Sequence, residues 1–282
     1  DPAYKGKRDA KVDPTLFKTP VKKDDVPAGY LIPVAYLWTR TVKCKNPACG
    51  AIVPLVKQTW LCKKKGRNVA LRMVAPKGAK QVRFEVVEHA KESDFDFDPA
   101  GFSSAGNATC PFCGTVADSD YVKAQGCASL LNTRMMAVAC VHPRKAGKVY
   151  VSADDYPEFI PEDGDIRQRV AAVCGQTGLS IPDEPIVDDA KNSFWVRLYG
   201  ITTYGQLFIP RQLLTLLTVT AAVRQARSAM AGTSAEHAAA IITLLAAMVD
   251  KLADFDSTQC SWNYSGGRGV GHSFTRQALP MA

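Results

Sequence analysis

Two short runs constrain this chain more than any other feature: CKNPACG from Cys44 to Gly50, and CPFCG from Cys110 to Gly114. In each, two thiols stand a few residues apart and a Gly follows the second. A tight turn of this kind aims both sulfurs at one point, and the Gly lets the backbone bend so that its amides face the thiolates. Four thiolates from two such turns close a tetrahedral structural site, which leaves no open position for a substrate. Cys44, Cys49, Cys110 and Cys113 are therefore the expected ligands of a zinc ion.

The separation of the pairs is the objection. Between Cys49 and Cys110 lie residues 50 to 109, 60 positions, where compact ribbons have about 15 to 20. A loop about four times longer adds only roughly 1.2 kcal/mol of closure entropy. Structural zinc contributes on the order of 10 kcal/mol or more, so the long loop does not veto the site. Two alternatives stay open at this stage. CPFCG could be a turn with buried thiols or a CxxC redox pair, although the thioredoxin-like βαβ setting of the latter is missing. Cys62 could also replace a ligand if the first turn were arranged differently.

The chain holds nine cysteines, an odd number, without an apolar stretch for a signal peptide in DPAYKGKRDAKVDPTLFKTPVKK. That usage argues against a disulfide framework and for metal ligands plus scattered buried thiols. Cys127, Cys140, Cys174 and Cys260 are lone residues expected in packing. His89, His142, His237 and His272 share no spacing with one another or with the cysteine pairs. No run approaches the roughly 18 apolar residues of a membrane span, so no membrane is expected as a partner and a cytoplasmic location is expected. The first residue is Asp, not Met, which points to a piece of something longer.

A hydrophobic content of 46% and a charged content of 22%, with a mean hydropathy of -0.09, suit a globular chain with a sizeable core. Net charge is +8, and Lys63, Lys64, Lys65 and Arg67 fall within one short run. Such a cluster favours a polyanionic partner, with a solvated turn as the plainer reading.

Along the chain, residues 1 to 30 read as an extended arm or linker. IPVAYLWTRTV, from Ile32, reads as a strand leading into Cys44. ALRMVAP and QVRFEVVE look like a hairpin, and MMAVACV with KVYVS like another β pair around HPRKAG. Residues 89 to 109 read as a loop. A short helix is expected over Asp165 to Cys174, and a longer one over Pro210 to Ala231 with Leu213, Leu216, Leu217, Thr220 and Val223 on one face. Thr233 and Glu236 form the pattern of a capping box for another, in which Ala238, Ile241, Leu245, Met248, Leu252 and Phe255 recur at helical spacing. The expected fold class is α+β: an arm over 1–30, a β-rich zinc-ribbon region over 31–152, and a mainly helical region over 153–282 with a long antiparallel helix pair joined at Gly232.

Two motifs are decoys. DPAY, residues 1 to 4, lacks the preceding core strand that an amine-binding Asp-Pro-Pro-Tyr motif needs. SGGRGVG, Ser265 to Gly271, lacks the strand and the Lys-Ser/Thr ending of a phosphate loop. No nucleophile elbow, paired-carboxylate signature or HExxH helix is present in the sequence.

The series AYLWTRTVKCKNPACGAIVPLV, LCKKKGRNVALRMV, FEVVE, ATCPFCGTV, YVKAQG, TTYGQLFIPRQLLTL, LADFDSTQCSW and SFTRQALPM, in this order from Ala35 to the end, resembles the large adenine-specific DNA methylases that contain a zinc ribbon. That resemblance implies a segment lying between an upstream S-adenosylmethionine loop of Asp-Pro-Phe-Gly-Gly type and a downstream catalytic Asp-Pro-Pro-Tyr motif, neither of them in this chain. It implies zinc at Cys44, Cys49, Cys110 and Cys113, DNA and the remaining catalytic domain as partners, and S-adenosylmethionine only in the parent enzyme. Lys63, Lys64, Lys65 and Arg67 would meet DNA phosphates, with Trp60 either touching bases or packing. The N-terminal 30 residues and the Asp/Ser-rich stretch before Cys110 depart from the pattern. A stand-alone zinc-ribbon interaction module, with the helix pair docking a partner, is the competing expectation.

Overall fold

The computed structural model describes residues 26, 29–103, 105–187, 195–265 and 269–273. The arm expected over 1 to 30 and the DPAY motif lie almost wholly outside the described residues.

Leu37, Thr39 and Thr41 alternate inward along β1, Ile32–Lys43, as a half-buried strand requires. Its register slips beside Pro33, which has no N–H to give to a ladder. After the first cysteine turn the chain returns as β2, Ile52–Pro54, and then forms β3, Trp60–Lys64, β4, Arg67–Val74, and β5, Arg83–His89. A short pair follows, β6 Ala108–Thr109 and β7 Val116–Ala117, and then α1, Ser119–Cys127. Next come β8, Asn132–Val141, and β9, Lys148–Ser152. The helices α2, Asp163–Thr177, α3, Pro210–Ala229, and α4, Ala235–Phe255, complete the fold. The protein is α+β, and every strand pair within its sheets is antiparallel.

Strand order is β2-β1-β8-β9 in the largest sheet and β3-β4-β5 in the second. Their inner faces share one core, in which Leu37 and Ala137 of the first sheet meet Leu61, Val69, Leu71 and Phe84 of the second. Polar clamps fix the two edges together. Ser152 Oγ donates to the Phe84 carbonyl at 2.5 Å, and the Asp154 carboxylate accepts from Phe84 N–H and from Arg134, each at 2.7 Å.

Helix boundaries differ from expectation in physically readable ways. The N-cap of α4 is Ser234, whose hydroxyl accepts from His237 N–H, and not Thr233. Helix α2 runs past Cys174 to Thr177 and stops where Gly178 takes a left-handed conformation, φ 66°, donating to the Cys174 carbonyl. Helices α3 and α4 pack as a hairpin, yet α4 has no fully buried residue and exposes Met248, one of the positions expected in its packed stripe. After α4 the chain returns to the β region: Trp262 Nε1 donates to the Leu61 carbonyl at 2.8 Å, and Lys63 N–H donates to the Tyr264 carbonyl at 2.9 Å.

Candidate metal centre

Each cysteine pair sits on a hairpin turn closed by a left-handed Gly. In the first, Cys44 N–H donates to the Ala51 carbonyl at 2.7 Å, while Cys49 and Gly50 N–H both donate to the Asn46 carbonyl. In the second, Cys110 N–H donates to Thr115 O and Gly114 N–H to Cys110 O, each at 2.9 Å. Gly50 and Gly114 have φ of 61° and 73°, a conformation that costs a side-chain-bearing residue energy and a glycine little. The two turns are near repeats of one local solution, built on different hairpins.

These turns bring all four sulfurs within 4.8 Å of one another. Cys44 and Cys113 Sγ are 3.6 Å apart, and Cys49 and Cys110 Sγ 3.8 Å. A disulfide would need about 2.05 Å, and none of the cysteines is so bonded. Tetrahedral bonds of about 2.3 Å from one zinc ion to four thiolates set S···S edges of about 3.8 Å. The observed spacing fits that geometry, so the cluster could hold a metal ion such as zinc. The long 50–109 excursion is no obstacle, because it is folded into the β3-β4-β5 sheet.

The sulfurs are not equivalent. Burial pushes the Cys44 thiol up to about 12 and raises that of Cys110. Cys113 faces solvent, and the Thr115 hydroxyl, 3.3 Å from its sulfur, together with the Thr115 N–H brings it down to about 6. Thr115 is thus a supporting residue that cysteine spacing alone does not reveal. Around the sulfurs pack small apolar side chains, Ala51, Val53, Ala108 and Ala117 among them.

Helix α1 ties the turns together. Its N-cap Asp118 accepts from Tyr121 N–H at 2.9 Å and pairs with Lys45 of the first turn, and the Tyr121 hydroxyl donates to the Lys43 carbonyl at 3.0 Å. The far end of α1 is held by a glycine contact. A Cβ on Gly126 would lie 2.5 Å from the Tyr199 carbonyl oxygen, too close for any side chain.

Cys62 is buried in the core between the two sheets, apart from the four-sulfur cluster. The basic run falls on the β3–β4 hairpin, where Gly66 makes the turn at φ 77°. Lys64 and Lys65 are exposed and form no ion pair among the described residues. Lys63 pairs with Glu92 at 2.6 Å. Arg67 donates through Nε and Nη2 to Glu88 at 2.8 and 3.0 Å, and through Nη1 to the Lys148 carbonyl at 2.9 Å. Arg67 holds the Glu88 carboxyl below its usual range. Trp60 packs: it is only 4% exposed and meets the Phe95 ring edge-on at 5.1 Å. Among the described residues, no helix is long and apolar enough to cross a membrane. Comparison with models of known protein families, with curated proteins and with solved structures finds no match to this chain.

Proposed function

We propose that this chain is the zinc-ribbon, target-recognition portion of an S-adenosylmethionine-dependent adenine-specific DNA methyltransferase, inactive by itself. The observation that carries the reading is the convergence of Cys44, Cys49, Cys110 and Cys113 at tetrahedral spacing. It is supported by the ordered series of motifs that resembles those of the zinc-ribbon methylases and by the basic β3–β4 turn. Zinc at the four cysteines would act as a structural crosslink, since a four-thiolate set leaves no coordination position for chemistry. Lys64 and Lys65 would contact DNA phosphates, contributing affinity without sequence choice, while Lys63 and Arg67 are already engaged with carboxylates. Exposed ion pairs of that kind are worth about 0 to 1 kcal/mol, so a phosphate could displace Glu92 from Lys63. The test is duplex binding followed by fluorescence anisotropy at moderate salt. Charge reversal of Lys63, Lys64 and Lys65 should weaken it, and equal binding by that variant would remove the DNA-contact role. The open reading frame on either side tests the parent enzyme: the reading requires a cofactor loop upstream and an Asp-Pro-Pro-Tyr motif downstream.

A second reading, a zinc-ribbon module that docks a protein through its helix pair, is favoured by one feature. Leu244 and Met248 on α4 are 70% and 65% exposed. Tight, salt-insensitive binding to a protein, without DNA affinity, would support it instead.

A further inference from the structure

The β3–β4 turn does not stand alone. The loop between β8 and β9, residues 142–147, belongs to the other large sheet but ends beside it. Arg67 joins the two, since its Nη1 reaches the Lys148 carbonyl and its guanidinium lies 6.0 Å from the centre of the Tyr150 ring. Gly147, at φ 103°, brings the loop close enough that a Cβ there would lie 3.9 Å from Arg67 Nη1. Lys148 extends over the Trp262 ring at 4.9 Å, and its ammonium is lowered first by burial and then by the nearby charge of Lys64. Arg144 and Lys145, at the crest of this second loop, are exposed and form no ion pair among the described residues.

From this juxtaposition we infer that the tips of the β3–β4 and β8–β9 hairpins form one phosphate-binding surface for nucleic acid, with Arg144 and Lys145 as its second half. Arg67 is a positioning residue in it. Its Nε, Nη1 and Nη2 each donate one hydrogen bond, to Glu88 or to the Lys148 carbonyl, so it braces the tips and leaves phosphate binding chiefly to Lys64, Lys65, Arg144 and Lys145.

The chemistry of the surface favours a nucleic acid backbone over an acidic protein. Protein interfaces are anchored by aromatic and apolar side chains at a desolvated centre. Here the aromatics at the junction, Tyr150 and Trp262, are partly buried and lie beneath Arg67 and Lys148. What remains to a partner is long, flexible cations on glycine-containing turns, which suits evenly spaced phosphates and reads no bases. Two tips on different sheets also give a longer footprint than one turn could.

This inference rests on the DNA-binding reading above, and one salt-dependence experiment separates their failures. Anisotropy with a labelled duplex over a range of salt concentrations gives the slope of log affinity against log salt. Four proteins are compared: wild type, Lys64→Gln/Lys65→Gln, Arg144→Gln/Lys145→Gln, and Lys77→Gln, an exposed control on the turn at the other end of β4. Neutralising Arg144 and Lys145 should weaken binding and flatten the slope by about 1.8, at about 0.9 for each phosphate that no longer meets a cation. Lys64→Gln/Lys65→Gln should do the same, and Lys77→Gln should leave both quantities at wild type. Weakened binding in the Lys64/Lys65 variant with wild-type affinity and slope in the Arg144/Lys145 variant overturns this inference and leaves the DNA-binding reading standing. No binding by wild type overturns both. Displacement of the duplex by polyglutamate as effectively as by unlabelled duplex, at equal charge concentration, overturns the assignment to nucleic acid. Substituted turn residues are exposed, and thermal unfolding of each variant at the wild-type midpoint shows that a drop in binding is local.

Discussion

Chelation of the metal should unravel residues 108–117 while leaving the β3-β4-β5 sheet folded. Ordering the ten residues of this hairpin costs at least about 1 kcal/mol each in backbone entropy, about 10 kcal/mol in all. Against that stand few interactions. The strands pair only at Ala108 with Ala117 and Thr109 with Val116, and the turn adds the bonds from Cys110 N–H to Thr115 and from Gly114 N–H to Cys110. At about 1 kcal/mol net per hydrogen bond these supply about 4 kcal/mol. The buried carbons are a methyl each from Ala108 and Ala117 and the methylene of Cys110, worth about 2 kcal/mol together at about 0.8 each, and the half-buried Phe112 ring, packed against both cores, adds about 1.5 kcal/mol. The hairpin alone is therefore short by about 2 to 3 kcal/mol, a deficit that structural zinc, on the order of 10 kcal/mol, more than offsets. Hydrogen exchange with and without chelator reads this directly. The Cys110 and Gly114 amides should be protected in the metal-loaded chain and exchange near unfolded rates once it is stripped. The Leu71 amide, bonded to the Thr59 carbonyl at 2.9 Å in the core sheet, should stay protected in both. Equal protection of Cys110 and Gly114 in the stripped chain would refute the reasoning, because it would mean that packing alone orders the hairpin.

Two other perturbations follow from the same geometry. Gly126→Ala places a methyl 2.5 Å from the Tyr199 carbonyl oxygen, a backbone atom that cannot swing aside, and should cost about 1–3 kcal/mol as overpacking; an unchanged urea midpoint would show that α1 is not held there. In the metal-stripped chain at neutral pH, iodoacetamide should modify Cys110 and Cys113, on the unravelled hairpin, well before Cys62 in the core. The thiol must be reached to react as thiolate: the two hairpin cysteines become accessible once the β6–β7 pairing is lost, whereas Cys62 is 5% exposed between the two sheets that stay folded. Mass spectrometry of modified peptides giving the reverse order would contradict the assigned environments.

Which parts were legible in the sequence depends on where the determining forces lie. The cysteine turns were readable because their geometry is local: a pair of thiols and a glycine that must sit at positive φ. The strands β1, β4, β5, β8 and β9 were readable because β-branched and apolar residues dominate them. Strand β3 was not, since Trp60, Leu61 and Cys62 are all buried and lack the alternation of a half-solvated strand. Helix α1 was hidden for another reason. It buries only Val122 and Gly126, and the second of these is explained by a backbone some seventy positions away, at Tyr199 and Gly200. The exposed side of α4 shows the converse: helical spacing of apolar residues reports a potential for burial, which this chain leaves partly unused at Leu244 and Met248. Joining the two basic hairpin tips was beyond reach of sequence because KKKGR and HPRKAG lie on different sheets, bridged by Arg67 through the Lys148 carbonyl.

The central claim is that four sulfurs on two distant hairpins hold one metal ion. Elemental analysis of the purified chain, without prior chelation, tests it most directly, beside a Cys110→Ser/Cys113→Ser variant. About one zinc per wild-type chain is predicted for a closed four-thiolate site, with no metal retained by the variant. A wild-type chain without metal, or a variant that keeps full occupancy, would contradict the account.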